Sequence, residues 1–258
     1  MLKFALVTLL ATSAFAGSAS RLPLKSFYGR IIGGGPADAG EYPSQLSLQY
    51  FDSHSCGASI ISENYALTAS HCVEGRSAGD LSLRSGSVDV NGGERHQVTN
   101  IIMHESYDPI DSWNNDIAIL EVSPAFVFSD NVQPITLPNQ GDAPAVGSPA
   151  TVIGWGRISN GGALSDVLKE VVIEVRDQAL CQGVYNDIGY DVYDGQICAD
   201  VPEGNLGSCN GDSGGPLLVD GVVVGLVSWA NGCATPGYPT VYNRVAYYRD
   251  WITQQTGV

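Results

Sequence analysis

Three short segments hold residue types that can do nucleophilic chemistry together. Gly211-Asp212-Ser213-Gly214-Gly215-Pro216 sets a serine among glycines, so backbone N–H groups can approach a reacting carbonyl with no Cβ in the way. Leu67-Thr68-Ala69-Ser70-His71-Cys72 ends a strand-like run on a histidine beside a cysteine, and Asn114-Asn115-Asp116-Ile117-Ala118-Ile119-Leu120 puts an acid at the mouth of another. A serine hydroxyl is a weak nucleophile until a base takes its proton, and an imidazole base needs a partner to fix its tautomer. Singly, each residue is most simply a surface or turn residue. That reading suits His96 and His104, which sit in polar, turn-like sequence. A serine, a histidine and an acid in three such settings point instead to acyl transfer.

The elements that must position these groups read as β structure. From Tyr42 onward, short runs alternate with turns: Gln45–Gln49, Ala66–Ala69, Leu81–Arg84, Ile117–Leu120, Val171–Val175 and Gly221–Trp229. Strands this short, punctuated by Asn-Gly, Gly-Gly and Asp-Gly, predict an antiparallel all-β fold. The unbroken run Val222–Val227 should be buried on both faces. At the end, Val245, Tyr248, Trp251 and Ile252 recur with helical spacing, which predicts a helix docked on the β core. The Pro/Gly/Asn-rich stretch 137–149 is the expected connection between two halves. No internal repeat and no Asn-x-Ser/Thr sequon is visible.

The chain has 258 residues, with 27 acidic and 12 basic side chains and a net charge of −15. Basic residues are too few for a phosphate-binding patch, so no nucleic-acid partner is expected. At 44% hydrophobic and 15% charged, it is not a disordered acidic tail. Residues 1–16 carry Lys3, the apolar run Phe4–Leu10 and the small-residue ending Ala14-Phe15-Ala16, the pattern of a secretory signal cleaved after Ala16. That apolar stretch is too short to span ~30 Å of hydrocarbon, so no membrane anchor is expected. Residues 1–30 hold four basic side chains and no acid. The remainder carries eight basic residues against 27 acidic, a net −19.

Secretion makes Cys56, Cys72, Cys181, Cys198, Cys209 and Cys233 read as three disulfides, with the pairing left open among 15 possibilities. No Cys-x-x-Cys or paired-histidine spacing supports a metal site.

In order, His71, Asp116 and Ser213 lie inside motifs that resemble those of the chymotrypsin/trypsin-like serine proteases. The likeness runs from Ile31 to the terminal helix and includes Gly154-Trp155-Gly156, Ser228-Trp229 and Gly237-Tyr238-Pro239-Thr240-Val241-Tyr242. It implies two six-stranded antiparallel Greek-key β-barrels, a C-terminal α-helix and an active site between the barrels. Carried over, Ser213 would be the nucleophile, His71 the general base and acid, and Asp116 its orienting partner. The N–H groups of Gly211 and Ser213 would form the oxyanion hole. Ser228 and the residues after it would pair with an extended peptide substrate. His54, before Cys56, would be structural, and Ser70 replaces the alanine usual before the histidine.

Arg30-Ile31-Ile32-Gly33-Gly34 resembles the family's activation site. Cleavage after Arg30 by a trypsin-like protease would free an Ile31 ammonium to pair with Asp212, leaving residues 17–30 as a released propeptide and 31–258 as the protease domain. The pocket for the side chain before the cut bond would have Gly207 at its base, Ser208 beside it and walls that include Ala230 and Thr240, with Ser228 and Trp229 also binding substrate. With no acid at the base, cleavage after uncharged aliphatic or aromatic residues is expected, because a buried Lys or Arg head would lack a partner.

The segment Leu83–Glu94 offers few acidic ligands beyond Asp89 and Glu94, so neither calcium nor any other cofactor is expected. Protein or peptide substrates, protein protease inhibitors and a monomeric state are the expectations for partners. The competing readings are a protease-like binding or decoy protein without catalysis, which fold alone cannot exclude, and an active protease of trypsin-like specificity.

Overall fold

The computed structural model describes residues 31–258; the signal peptide and propeptide readings lie outside the described residues. A two-residue strand, β1 (Gly35–Pro36), leads into the first barrel. Its strands are β2 (Gln45–Tyr50), β3 (Ser53–Ile60), β4 (Tyr65–Thr68), β5 (Leu81–Ser85), β6 (Glu94–Met103) and β7 (Ala118–Ser123). They close in the order β2-β3-β4-β7-β6-β5, every pairing antiparallel. Residues 124–148 carry the chain to the second barrel, made of β8 (Pro149–Gly154), β9 (Lys169–Val175), β10 (Gln196–Asp200), β11 (Pro216–Val219), β12 (Val222–Trp229) and β13 (Thr240–Arg244). There the ring runs β8-β9-β10-β13-β12-β11 and closes where β11 pairs with β8, with β1 added to β9. Both rings therefore share one Greek-key order, first-second-third-sixth-fifth-fourth, although the sequence shows no repeat.

Local chemistry explains the elements. Along β9, Val171, Ile173 and Val175 are buried while Val172 and Glu174 face outward, the period-two alternation of a half-buried strand. Buried on both faces, β12 matches its unbroken apolar run. Asp220-Gly221 closes the β11–β12 hairpin with φ of 50° and 78°, the tight turn that an Asp-Gly pair favours. Each barrel has its own apolar filling: Leu46, Leu48, Ile60, Leu83 and Leu120 in the first, and Val152, Ile173, Leu217, Val227 and Tyr242 in the second.

Two helices accompany the β structure, one between β9 and β10 and one after β13. The terminal one starts as a 3-10 turn (Val245–Tyr247) before α2 (Arg249–Thr256), so the spacing seen in the sequence spans both. Val245, Tyr248, Trp251 and Ile252 pack with Ile117, Ile119, Val223 and Leu226, which binds the helix to both barrels. The other helix, α1 (Gln178–Asn186), is not apparent from the periodic reading. It is short, capped by the Asp177 carboxylate on the Leu180 N–H, and held by buried Cys181 and Tyr185 one turn apart. Among the described residues, no helix is long and apolar enough to cross a membrane.

Candidate active site

His71 stands in a short 3-10 turn (Ser70–Cys72) directly after β4, and the Cys56–Cys72 disulfide ties that turn to β3. Ser70 reaches across from it: its hydroxyl donates to the Ile117 carbonyl at 2.7 Å. The serine in place of alanine thus links the histidine's segment to the residue after Asp116. Left-handed backbone at Trp113 (φ 50°) and Asn115 (φ 57°) bends the chain just before Asp116, and Asn115 Nδ2 donates to the Ser106 carbonyl at 2.8 Å.

Asp116 is fully buried and fully engaged. Its Oδ1 accepts the His71 backbone N–H at 2.8 Å, and its Oδ2 accepts the His71 ring Nδ1–H at 2.7 Å. The Ser228 hydroxyl, from β12, donates to the same Oδ2 at 2.6 Å, and Asn243 of β13 donates to the Asp116 carbonyl. With Nδ1 carrying the proton, the ring's Nε2 keeps its lone pair for proton transfer. Burial disfavours the charged ring, but the Asp116 carboxylate, with help from Glu74, outweighs it and holds the His71 pKa above its ordinary value.

Ser213 arrives from the second barrel. Its carbonyl accepts the Gly57 N–H at 2.8 Å, and its hydroxyl makes no hydrogen bond among the described residues. The next residue has to be glycine. At Gly214 φ is +74°, and a Cβ there would lie 2.2 Å from Thr68 Oγ1 and 2.9 Å from Ala69 N, so the serine loop lies directly on the strand that ends at His71.

The N–H groups of Gly211 and Ser213 are likewise unspent among the described residues. Gly211, at φ +97°, is fixed from its other side: His54 Nε2 donates to its carbonyl at 2.9 Å. His54 Nδ1 in turn accepts from the Ser47 hydroxyl at 2.8 Å. Burial lowers the His54 pKa against the favourable Gly211 bond, which keeps the ring neutral in this bridging state. The sequence offered little sign of this link, since His54 belongs to the first barrel and Gly211 to the second.

Asp212 is completely buried. It accepts from Gly156 N at 2.7 Å and Cys209 N at 2.9 Å, and burial pushes its pKa up to about 7 against those two bonds. Ile31 is also completely buried, in the core of the second barrel.

Beside Ser213 lies a cavity of about 190 Å³. Ser208, Ser228, Trp229, Ala230 and Thr240 line it, as do Asn160, Asn210, Val227, Gly232 and the Cys209–Cys233 disulfide, and none of these side chains is charged. Gly207 is not among the lining residues: it bridges to Ile32, with Ala234 as its neighbour on the Cβ side. Three aromatic residues not singled out in the sequence flank Trp229, with Tyr185 edge-on at 4.6 Å. Trp113 stacks on it with centroids 5.8 Å apart, and Tyr190 lies at 5.7 Å. The third disulfide joins Cys181 of α1 to Cys198 of β10. Cys56, His71 and Cys72 lie within ligand distance of one another, but both sulfurs are in a disulfide and offer no thiolate to a metal.

A buried acid bonded to a histidine, with a free serine and unspent N–H groups between two β-barrels, defines a serine hydrolase of the two-barrel kind. The trypsin family matches residues 31–252. The chain is 45% identical over 238 residues to trypsin-1 of Astacus astacus, covering 86% of this chain and 98% of that protein. It is 40% identical to trypsin Blo t 3 of Blomia tropicalis (96% and 95% covered) and 38% identical to trypsin 5G1 of Aedes aegypti (97% and 96%). The chain belongs to the chymotrypsin/trypsin-like serine protease family and is a serine endopeptidase acting on protein substrates.

Proposed function

We propose that this endopeptidase is a secreted enzyme, made as a precursor and activated by cleavage after Arg30, that cuts after uncharged residues. In this reading residues 1–16 direct secretion and residues 17–30 are the propeptide. Ser213 attacks the scissile carbonyl, and His71 Nε2 takes its proton and later delivers it to the leaving amine. Asp116 keeps the ring oriented and stabilises it when charged. The oxyanion rests on the Gly211 and Ser213 N–H groups. An oxyanion donor of this kind contributes about 3 kcal/mol to the transition state.

The observation that carries the catalytic reading is the doubly bonded Asp116–His71 pair, with the Ser213 loop packed on the strand that leads to His71. For specificity the support is the charge-free lining of the cavity: a Lys or Arg head there would lose its hydration without gaining a counter-charge. Ala230 and Thr240 narrow the slot and favour Leu, Met and smaller aliphatic residues over Trp, with Phe and Tyr still admitted. For activation the support is Asp212, a buried carboxylate with no cation among the residues that bond to it. A new Ile31 ammonium would supply one. The activator would be a trypsin-like protease, the mature enzyme a monomer, and protein protease inhibitors its natural antagonists.

The test is labelling with a serine-directed phosphonate before and after cleavage at Arg30–Ile31. Ser213 should be labelled only afterwards. Chromogenic peptides ending in Arg, Phe, Leu and Ala then read the specificity. No labelling of the cleaved protein would favour a decoy, and dominant cleavage after Arg would defeat the neutral-pocket reading.

A further inference from the structure

Hydroxyls form part of the lining of the charge-free cavity. Ser208 and Thr240 are both almost fully buried there, and Ser208 Oγ donates to Thr240 Oγ1 over a long 3.4 Å. The phenol of Tyr242 lies beside the same two hydroxyls. Tyr242 is fully buried behind the lining, and its contacts to those two hydroxyls fall short of full hydrogen-bond geometry. The two lining hydroxyls thus share one long hydrogen bond. Leaving such groups unpaired in a protein interior is unfavourable, and a polar recess of about 190 Å³ has room for a substrate atom that pairs with them. Each hydroxyl both donates and accepts, which matches an amide or a phenol. A carboxylate would find no cation among the lining residues, and an ammonium would find no anion.

Resting on the neutral-pocket reading above, we propose that the Ser208 and Thr240 hydroxyls make the cavity select uncharged side chains that end in a hydrogen-bonding group. Glutamine is favoured over methionine, which has nearly its shape without the amide, and tyrosine over phenylalanine. A site whose polar groups are left unpaired by the wrong substrate discriminates more sharply than an apolar slot does.

The test compares kcat/KM on matched peptides carrying Gln, Met, Tyr, Phe or Arg before the cut bond. It uses the activated enzyme and its Thr240→Val and Ser208→Ala variants, with active enzyme counted by phosphonate titration. Valine keeps the β-branched shape that suits β13. The polar member should lead by about tenfold or more in at least one of the two pairs. That lead should shrink several-fold in at least one variant. Met and Phe ahead in both pairs, or a lead unchanged in both variants, would overturn the proposal and leave the neutral-pocket reading standing. Arg ahead of all four would sink both.

Discussion

The Asp116 carboxylate holds His71 at two points, taking its backbone N–H on Oδ1 at 2.8 Å and its ring Nδ1–H on Oδ2 at 2.7 Å. One acid therefore sets both the position of the chain and the tautomer of the ring. Ser228 of the second barrel donates to that same Oδ2 at 2.6 Å, so the base of the first barrel is steadied from across the seam.

This pairing predicts a pH profile. Burial opposes the charged ring, but the Asp116 charge and hydrogen bond prevail, so the His71 pKa lies above the ordinary ~6.5. The rising limb of kcat/KM should have its midpoint above that value. The ring's contribution to stability is fully present below pH ~6.5 and is lost as pH rises through the folded value. Asp116→Asn should bring the midpoint down and cut activity by about 10⁴, the loss typical of such triads. A wild-type midpoint at or below 6.5 would count against this account.

Much of that site was legible because its chemistry is packed into contiguous residues. The serine, histidine and acid each sit in a short motif, and the apolar runs around them form strands as expected. What escaped reading depends on distance in the chain. His54 and Gly211 meet only after both barrels close, and Trp113, Tyr190 and Trp229 come from three separate segments. Helix α1 rests on a cap and two buried side chains, too short a pattern to stand out. The polar start of β6, Glu94-Arg95-His96-Gln97, hides a ten-residue strand in what reads as a turn, though His96 is fully buried.

Asp212 carries the second prediction. With its pKa near 7 against 3.8 for an ordinary aspartate, the buried group resists ionisation. Its penalty is absent below pH 3.8 and grows until pH 7 is passed, so the uncleaved chain should lose stability across that window. At ~1.36 kcal/mol per pH unit the full effect is about 4 kcal/mol. Cleavage after Arg30 should offset it, since the Ile31 ammonium favours the ionised acid. Thermal melts of an Arg30→Gln precursor and of the cleaved enzyme, taken from pH 4 to 7, should therefore diverge as pH rises. A constant gap would exclude Asp212 as the partner.

The aromatic bank around Trp229 should act on longer substrates. Trp113, partly buried, stacks on Trp229 of the cavity lining with ring centroids 5.8 Å apart. An apolar side chain further up an extended peptide would pack there for about 1 kcal/mol. Trp113→Ala should lower kcat/KM on a four-residue peptide by roughly fivefold at that energy. A single-residue ester should be cut almost as before. Equal losses on both substrates would place the tryptophan's effect at the catalytic groups instead.

The charge balance gives the last prediction. After Arg30 the chain holds only Lys169 and seven arginines, and each is restrained. Arg84, Arg95, Lys169 and Arg244 lie within strands, and Arg249 opens α2. Arg176 donates its N–H to Cys198 and pairs with Asp200 at 3.1 Å. Arg76 sits over the Tyr50 ring at 3.8 Å, and Arg157 bonds to Asn210 through its N–H and to Gly162 through its guanidinium. A protease takes its substrate as an extended strand, so cutting at any of these requires local unfolding first. Trypsin should therefore cleave within residues 1–30 and leave the domain whole for hours, as mass spectrometry of a timed digest would show. Arg76 and Arg157, outside the regular elements, should be the first internal cuts when they come. Rapid cleavage after Arg84 or Arg244 would mean that the barrels open far more readily than their packing implies.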